Sequence, residues 1–215
     1  MSVKKPKKSA FTRRVPLQDR SRLRVERILD AASHVFAAVG YEAATTEAIA
    51  ARAGTSIGSL YQFFPNKGAL FEAIGTRYLE QVRAGYETLM HQFFAVGAKK
   101  LPWTLVLDTF VDAFHAFHRQ NPGFRAVWTN WRQSMGVLEA GDALNREFAR
   151  RTETVLAIYA KKLTPKRRPL VATLVVETLS AMLIVAARYD DDDRSKQIMD
   201  ETKVLVRRYL EPYAT

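Results

Sequence analysis

The sequence predicts an all-α protein, with an N-terminal three-helix domain followed by a larger helical domain. Apolar residues recur at spacings of three and four along most of the chain, which is the period of an amphipathic helix. No stretch sustains the alternation of apolar and polar residues that is typical of a strand. Glycine and proline interrupt the pattern repeatedly, so the 215 residues divide into several helices.

The helices of the N-terminal third are delimited by capping and breaking residues. Gly40 can take the left-handed conformation that closes a helix, and Gly54 can break the chain again soon afterwards. Thr45 or Thr46 can cap a helix between these two glycines, and Asn66 can cap the next long helix. These signals predict helices over about 21–39, 45–53, 56–63 and 67–94.

The rest of the chain is also predicted to be helical. Residues 121–123, Asn-Pro-Gly, form a break, and Gly136 and Gly141 are expected to frame a loop. The four aspartates at 190–193 are expected to be a polar connection. The predicted helices span about 102–119, 124–134, 142–162, 165 or 169 to 189, and 195–209.

The charge distribution favours a polyanionic partner. The formal net charge is +11, and residues 1–27 contribute +8 of it through ten basic and two acidic side chains. A basic end on a nearly neutral body suggests nucleic acid or an anionic membrane surface, with a solubilising tail as the alternative. Residues 1–20 lack helical periodicity and contain two prolines, so we expect a disordered basic arm there.

Several classes of protein are disfavoured. The absence of cysteine excludes disulfides, thiolate metal sites and thiol catalysis. No apolar segment follows the basic N-terminus as it would in a secretory signal. The most apolar stretch, Leu170–Ala187, is interrupted by Glu177, and we interpret it as a buried helix rather than a membrane span. The expected location is the cytoplasm, with no membrane partner.

Residues 45–64, TTEAIAARAGTSIGSLYQFF, have the pattern of a helix-turn-helix. Ile49, Ala53 and Leu60 are small or apolar and can pack two short helices closely, while Gly54 turns the chain between them. In this motif the second helix enters the major groove of DNA. Its exposed positions carry small or hydrogen-bonding groups that can reach base edges, namely Ser56, Gly58, Ser59 and Gln62.

This segment resembles the DNA-binding domain of the TetR family of bacterial transcriptional regulators. The resemblance covers about residues 24–74 and is specific, because many separate positions match at fixed spacing. Beyond that region the chain is similar to the family only in length and helical character. The residues that carry the resemblance are Thr45-Thr46, Ile49-Ala50, Ala53-Gly54, Leu60-Tyr61, Phe63-Phe64, Asn66-Lys67 and Leu70, with Phe36 and Gly40-Tyr41 upstream.

The resemblance implies a division of labour on the DNA. Thr46 is expected to contact phosphate from the start of the second helix, and Tyr61 and Lys67 to hold the backbone. Ile57 can contact a thymine methyl group but offers no hydrogen bond. The arm is expected to add contacts from Arg13, Arg14, Arg20 and Arg22. The predicted DNA-binding residues are Thr45, Thr46, Ser56, Ile57, Gly58, Ser59, Tyr61, Gln62, Phe63, Lys67 and Arg22.

The resemblance also divides the chain into the arm 1–20, a DNA-binding domain 21–68 and an effector-binding and dimerisation domain 69–215. For any one aromatic residue of the last domain a plain core position remains the alternative. The candidate effector residues are His91, Trp103, Phe110, Phe114, His118, Trp128, Trp131 and Phe148. A four-helix dimer interface, as the family uses, or one domain face could bury Leu170, Leu174, Leu179, Met182, Leu183, Ile198 and Leu205.

Two chemical alternatives are weaker. Residues 54–58 match the G-x-S-x-G string of hydrolases, but a helix is predicted before it and no sheet is predicted anywhere. Asp108, Asp112, His115 and His118 could hold a metal, but a helical projection puts most of them on a polar face, so a solvated stripe is expected. We therefore expect neither an enzyme nor a cofactor or metal.

The predicted function is that of a homodimeric, ligand-responsive transcriptional regulator, nucleoid-associated when bound to DNA. We expect a repressor that leaves a palindromic operator in double-stranded DNA when a small apolar or amphipathic effector binds. The long fourth helix is the expected lever, since it joins Lys67 to a pocket near His91 and Phe94. An activator or co-repressor-dependent regulator of the same fold stays open, as do a helical enzyme or carrier and a membrane-surface protein.

Overall fold

The computed structural model of the protein describes residues 17–130 and 134–214, which fold into nine α-helices and two 3-10 turns without a strand. The all-α class is therefore confirmed. Trp131 and the arm residues up to 16, with Arg13 and Arg14, lie outside the described residues. The helices are α1 (Leu17–Ala43), α2 (Thr46–Arg52), α3 (Ile57–Tyr61), α4 (Lys67–Val96), α5 (Trp103–Gln120), α6 (Pro122–Thr129), α7 (Met135–Tyr159), α8 (Arg168–Ala187) and α9 (Asp192–Leu210).

The N-terminal helices are capped as their sequences demand. The side-chain oxygens of Thr45, Ser56 and Asn66 each accept a hydrogen bond from the amide three residues onward, at 3.2, 3.2 and 2.8 Å. Thr45, not Thr46, is thus the cap of α2. Gly40 has φ 77° and Gly54 has φ 62°, the left-handed conformation that favours glycine.

Two boundaries differ from the prediction because proline begins a helix well. Residues 17–20, predicted as part of the arm, are the first turn of α1, and in the sequence they follow Pro16. Arg20 therefore lies on a helix, as does Arg22. The predicted break at 121–123 is also wrong in part, since α6 already begins at Pro122.

One apolar core joins α1, α2 and α3 to the first turns of α4 and to α6 and α7. Phe124 and Val127 of α6 and Val137 of α7 are at most 1% exposed and complete this core. Packing is therefore continuous across residue 68. The other large members that are at most 1% exposed are Ile28, Phe36, Ile49, Leu60, Leu70, Phe71 and Ile74.

A polar clamp also holds α4 against α1. The guanidinium of Arg77 donates to the carboxylate of Asp30 at 2.7 Å and to the hydroxyl of Ser33 at 3.1 Å. Glu26 is within 3.3 Å of the same guanidinium. A movement of this part of α4 is therefore transmitted to α1.

Gly136 and Gly141 lie inside α7, so the loop predicted around them is wrong. Ser134 caps this helix by accepting from the Val137 amide at 3.3 Å. A Cβ on Gly136 would collide with the carboxylate of Glu72 on α4. That carboxylate ends a flexible side chain and can move aside. This glycine thus lies inside a helix, a position that the sequence pattern does not distinguish from a break.

The polar face of α5 packs on α9, so the predicted solvated stripe is right only in part: Asp112 stays 61% exposed, while Asp108 and His115 are half-buried. Charged side chains on one face of α9 pair with those on the polar face of α5. A helical projection of α5 alone cannot reveal this pairing. Among the described residues no group of three or more metal-ligating side chains is gathered. The contacts pair Asp108 with Arg207, Asp112 with Lys203, Arg119 with Asp192 and His115 with Ser195.

Helix α8 carries apolar residues around most of its circumference and has no single apolar stripe, although Glu177 interrupts it. Its length and its mean hydropathy of 2.2 would allow it to cross a membrane, yet only 33% of that window is buried within the chain. The predicted buried helix is therefore half right. One face packs through Val171 and Val175, whereas Leu170 is 61% and Leu174 45% exposed.

The start of α8 lies beside the end of α9, because Val171 and Val175 share a core cluster with Val206 and Leu210. This end of the helix pair exposes large apolar side chains on both helices. We call them the α8–α9 apolar face: Leu170, Leu174, Val204, Leu205 and Tyr209.

Candidate nucleic-acid interface and effector cavity

The short helix α3 presents an accessible, mostly polar surface. Leu60 is its buried residue and anchors it in the core. Ile57 is 37% and Tyr61 45% exposed, and Ser56, Gly58 and Gln62 are exposed as well, with Ser59 half-buried. The surface that the prediction assigns to the major groove is thus open to a partner.

Thr46 is not an open phosphate ligand, which corrects the prediction. It is only 9% exposed, and its hydroxyl lies 3.0 Å from the hydroxyl of Tyr61. A hydrogen bond between these hydroxyls fixes the phenol of Tyr61 at the edge of the exposed surface. Thr46 therefore positions Tyr61 instead of reaching outward itself.

Lys67 joins two helices rather than projecting into solvent. Its ammonium donates to the carbonyl oxygens of Tyr41 and Glu42, at 2.7 and 3.0 Å, and lies 4.6 Å from the centre of the Tyr41 ring. A cation is favourable at these carbonyls, where α1 ends. An ammonium has three N–H donors, so one remains for an anion.

Helix α1 brings basic side chains to the same surface. The guanidinium of Arg24 lies 3.4 Å from the hydroxyl of Ser59, and Arg20 and Arg22 are exposed. Phe63 is half-buried against the core, so it supports α3 and is not a groove-facing residue.

The larger part of the chain encloses an apolar cavity of about 170 Å³. Apolar cavities of roughly 150 Å³ stay dry and bind small hydrophobic molecules such as benzene. The cavity has little polar lining, contributed by side chains such as Asn145 and Thr152. Six of the eight candidate effector residues line it: Trp103, Phe110, Phe114, His118, Trp128 and Phe148.

His91 does not line this cavity, which corrects the prediction. Helix α4 contributes Leu79, Tyr86 and Met90 to the wall, and His91 lies on a different face of the helix, exposed. Phe94 is likewise 45% exposed.

Helix α8 supplies a wall of the cavity that the sequence pattern did not single out. Leu179 and Leu183, predicted as interface residues, line the cavity instead. Met182 and Ile198 are half-buried, and Ile198 packs on the cluster that contains Leu183. Because α8 has no distinct apolar stripe, its sequence does not indicate which side faces the core.

His118 is a buried polar side chain in the cavity wall. It is 7% exposed, its ring centre lies 4.2 Å from that of Phe124, and its Nδ1 has no hydrogen-bond partner among the described residues. Burial, with a smaller effect from His115, lowers the pKa of His118 to about 3. The imidazole is therefore neutral near pH 7.

Lowering the pH from 7.5 to 5 is expected to destabilise the fold through His118. Its pKa is about 3 in the folded chain and 6.5 when the imidazole is exposed to water, so below pH 6.5 the unfolded chain binds a proton that the folded chain does not. The contribution of neutral His118 to the free energy of unfolding is fully present above pH 6.5 and is lost progressively towards pH 3. At pH 5 the loss is about 2 kcal/mol. Urea unfolding at both pH values measures it. The variant His118→Phe is the control; equal pH dependence in both proteins would contradict the assignment.

Comparison with known proteins finds two matching families of domain. Residues 28–74 match the family described as bacterial regulatory proteins, tetR family, and residues 102–210 match the tetracyclin repressor-like C-terminal domain. The nucleoid occlusion factor SlmA of Haemophilus ducreyi is 31% identical over 90 residues, which are 42% of this chain. That stretch spans only 41% of the relative's own length.

Solved structures match over most of the chain. A TetR-family transcriptional regulator from Streptomyces coelicolor is 30% identical, with a TM-score of 0.59, covering 88% of this chain and 99% of that one. The regulator FadR from Bacillus subtilis, in complex with stearoyl-CoA, shares the fold at 16% identity and a TM-score of 0.64, covering 84% and 96% of the two chains.

Proposed function

Because this chain belongs to the TetR family of bacterial transcriptional regulators, a family of DNA-binding proteins, we propose that it acts as a homodimeric repressor. It leaves a palindromic operator when a small apolar or amphipathic effector enters the 170 Å³ cavity. DNA reading belongs to residues 21–68, and effector binding and dimerisation to 69–215. The protein acts in the cytoplasm, on the nucleoid.

The exposed surface of α3 is the observation that carries the DNA-binding role. Gln62 and Ser59 offer hydrogen bonds to base edges, and Ile57 offers an apolar contact to a thymine methyl. Tyr61 and the remaining N–H donor of Lys67 bind the phosphate backbone beside them. Specific readout is therefore concentrated on few side chains, and affinity depends on the backbone contacts.

The α8–α9 apolar face supports the homodimer. Two antiparallel pairs of helices from two copies form a four-helix bundle when these faces meet. One helix-turn-helix alone grips DNA weakly, whereas a dimer reads two half-sites about 34–36 Å apart, or a multiple of that spacing.

Helix α6 offers the most direct link between the cavity and the DNA-reading helices. Phe124 lines the cavity and is also buried in the core shared with α1. Helix α4 provides a parallel link, since Leu79 and Tyr86 line the cavity while Arg77 holds α1. The contact of the cavity with α4 extends from Leu79 to Met90 and does not include the side chain of His91.

The effector releases the protein from DNA by shifting the balance between two conformational populations. The effector prefers the arrangement in which α6 and α4 hold the two α3 helices at the wrong spacing, and linkage lowers DNA affinity by the same factor. A change from 1:99 to 99:1 requires about 5.5 kcal/mol of preference. In an activator of the same fold, the same coupling between effector and DNA binding would have the opposite sign. Transcript levels in a deletion strain distinguish a repressor from an activator.

Paired substitutions test the DNA-binding role. We expect Lys67→Ala to weaken binding to every duplex and to flatten the log–log salt dependence by about one unit per half-site, hence about two units on the full palindrome. Gln62→Ala should change the base preference at one position of the operator. The free-energy difference between the preferred base and the others there should fall by about 1–3 kcal/mol. Fluorescence anisotropy over a salt series, with operator fragments selected from genomic DNA by the purified protein, measures both.

The control for Lys67→Ala is Lys67→Gln, whose amide can still donate to the carbonyls of Tyr41 and Glu42. A salt slope that returns to the wild-type value in Lys67→Gln would mean that the lysine acts only by joining α1 to α4. Identical effects of the Lys67 and Gln62 changes would refute the division into phosphate and base contacts.

A further inference from the structure

A second cavity, of about 160 Å³, lies between α5, α8 and the start of α9. We call it the polar cavity, because its lining is more polar than that of the first cavity. His118 and Leu183 line both cavities, so these two side chains form the partition between them. The other lining residues of the polar cavity are His115, Arg119, Ala187, Asp190 and Ser195.

The partition holds a polar atom that the fold does not satisfy. Nδ1 of His118 is buried and has no hydrogen-bond partner in the described part of the chain. Packing of the ring against Phe124 accounts for the position of the imidazole but leaves its nitrogen unpaired. Buried polar groups in native proteins nearly always have a partner, so this nitrogen points to a missing molecule.

Charges around the polar cavity are already matched. The guanidinium of Arg119 pairs with the carboxylate of Asp192 and donates to the carbonyl oxygens of Tyr189 and Asp190, each at 3.2 Å. His115 is hydrogen-bonded to Ser195 at 2.8 Å. An ionised ligand group would find no uncompensated charge here, and it would border the apolar wall, where a charge is costly.

We propose that the effector is an uncharged amphipathic molecule whose apolar body fills the large cavity and whose hydroxyl or carbonyl group hydrogen-bonds to His118. More polar atoms of a larger effector extend past the partition into the polar cavity. A neutral imidazole has one N–H donor and one acceptor nitrogen, and its tautomer can suit either group. This inference rests on the proposed function, because it specifies the chemistry of the effector.

Three matched probes test this chemistry on the full chain by isothermal titration calorimetry at pH 8. They are 2-octanone, its hydrocarbon isostere 2-methyl-1-octene, and octanoate. We expect the ketone to bind about five- to tenfold more tightly than the alkene, as one buried hydrogen bond provides. Octanoate should bind more weakly than the ketone. Equal affinity for ketone and alkene, or tightest binding of octanoate, overturns the inference.

Substitutions locate the hydrogen bond. His118→Leu should bind the alkene but lose the preference for the ketone, and His118→Gln should restore part of it. The control is Thr152→Val, which removes another polar group of the large cavity, one that is hydrogen-bonded to Tyr86. This variant should keep the preference. A preference that survives in His118→Leu, or disappears in Thr152→Val, contradicts the role of His118.

Anisotropy with operator DNA, run in parallel, separates this inference from the proposed function. A protein that prefers the ketone through His118 but does not release DNA on binding it supports the site and contradicts effector-controlled repression. A protein that binds and releases DNA without any preference at His118 supports the regulator and contradicts the site.

Discussion

Replacing Leu174 and Leu205 together by glutamate is expected to make the protein monomeric and to lower its affinity for a palindromic operator at least a hundredfold. Both side chains are largely exposed in the single chain, 45% and 58%, so the fold itself tolerates the change. In the proposed dimer each substitution occurs twice and would bury unpaired charge in an apolar interface. Loss of the linked second half-site removes an avidity of about 10²–10⁴.

Analytical ultracentrifugation measures the oligomeric state, and anisotropy compares the full palindrome with a single half-site. Leu105→Glu is the matched control, because Leu105 is 49% exposed on α5 and is not a member of the α8–α9 apolar face. It should leave both properties unchanged. A double variant that stays dimeric would show that the dimer uses another surface.

Replacing Gly123 by alanine is expected to destabilise the protein by about 2–3 kcal/mol, the usual cost of overpacking a core. The added Cβ would lie 2.5 Å from both the Cβ of Ser33 and the hydroxyl oxygen of Tyr78, and 3.1 Å from the Cα of Ser33. Since the Ser33 backbone belongs to α1, α6 must move away from the DNA-reading helices. The melting temperature should fall by about 5–10 °C for a chain of this size.

Gly85→Ala is the control for this change, since an added Cβ there meets nothing within 4 Å. It replaces glycine by alanine within α4 and should raise stability by up to about 1 kcal/mol. Calorimetry of both variants at one protein concentration measures the difference. If Gly123→Ala were as stable as the wild type, the close contact between α6 and α1 would not exist in solution.

Features that depend on a few neighbouring residues could be predicted from the sequence. Thr45 and Asn66 cap their helices, and Gly54 turns the chain, because a cap or turn is decided within three or four residues. Phe110 and Phe114 of α5, which are among the candidate effector residues, line the cavity. The helix-turn-helix and the family followed from such local patterns.

Features that depend on which helices meet could not be predicted in this way. Gly136 lies inside α7, which packs against α4 and α8, and not in the loop that its local sequence predicts. Lys67 is a residue type that often binds phosphate, yet its ammonium donates to carbonyl oxygens at the end of α1. Leu183 faces inward and Leu174 outward on the same apolar helix.

The order of helices, their caps and the surface-exposed α3 were determined by the sequence alone, because backbone hydrogen bonding and amphipathic period act over one or two turns. Only the tertiary structure decided the partition at His118 between two cavities and the ion pairs between α5 and α9. Each of these needs side chains from distant segments, and their position depends on how the helices pack.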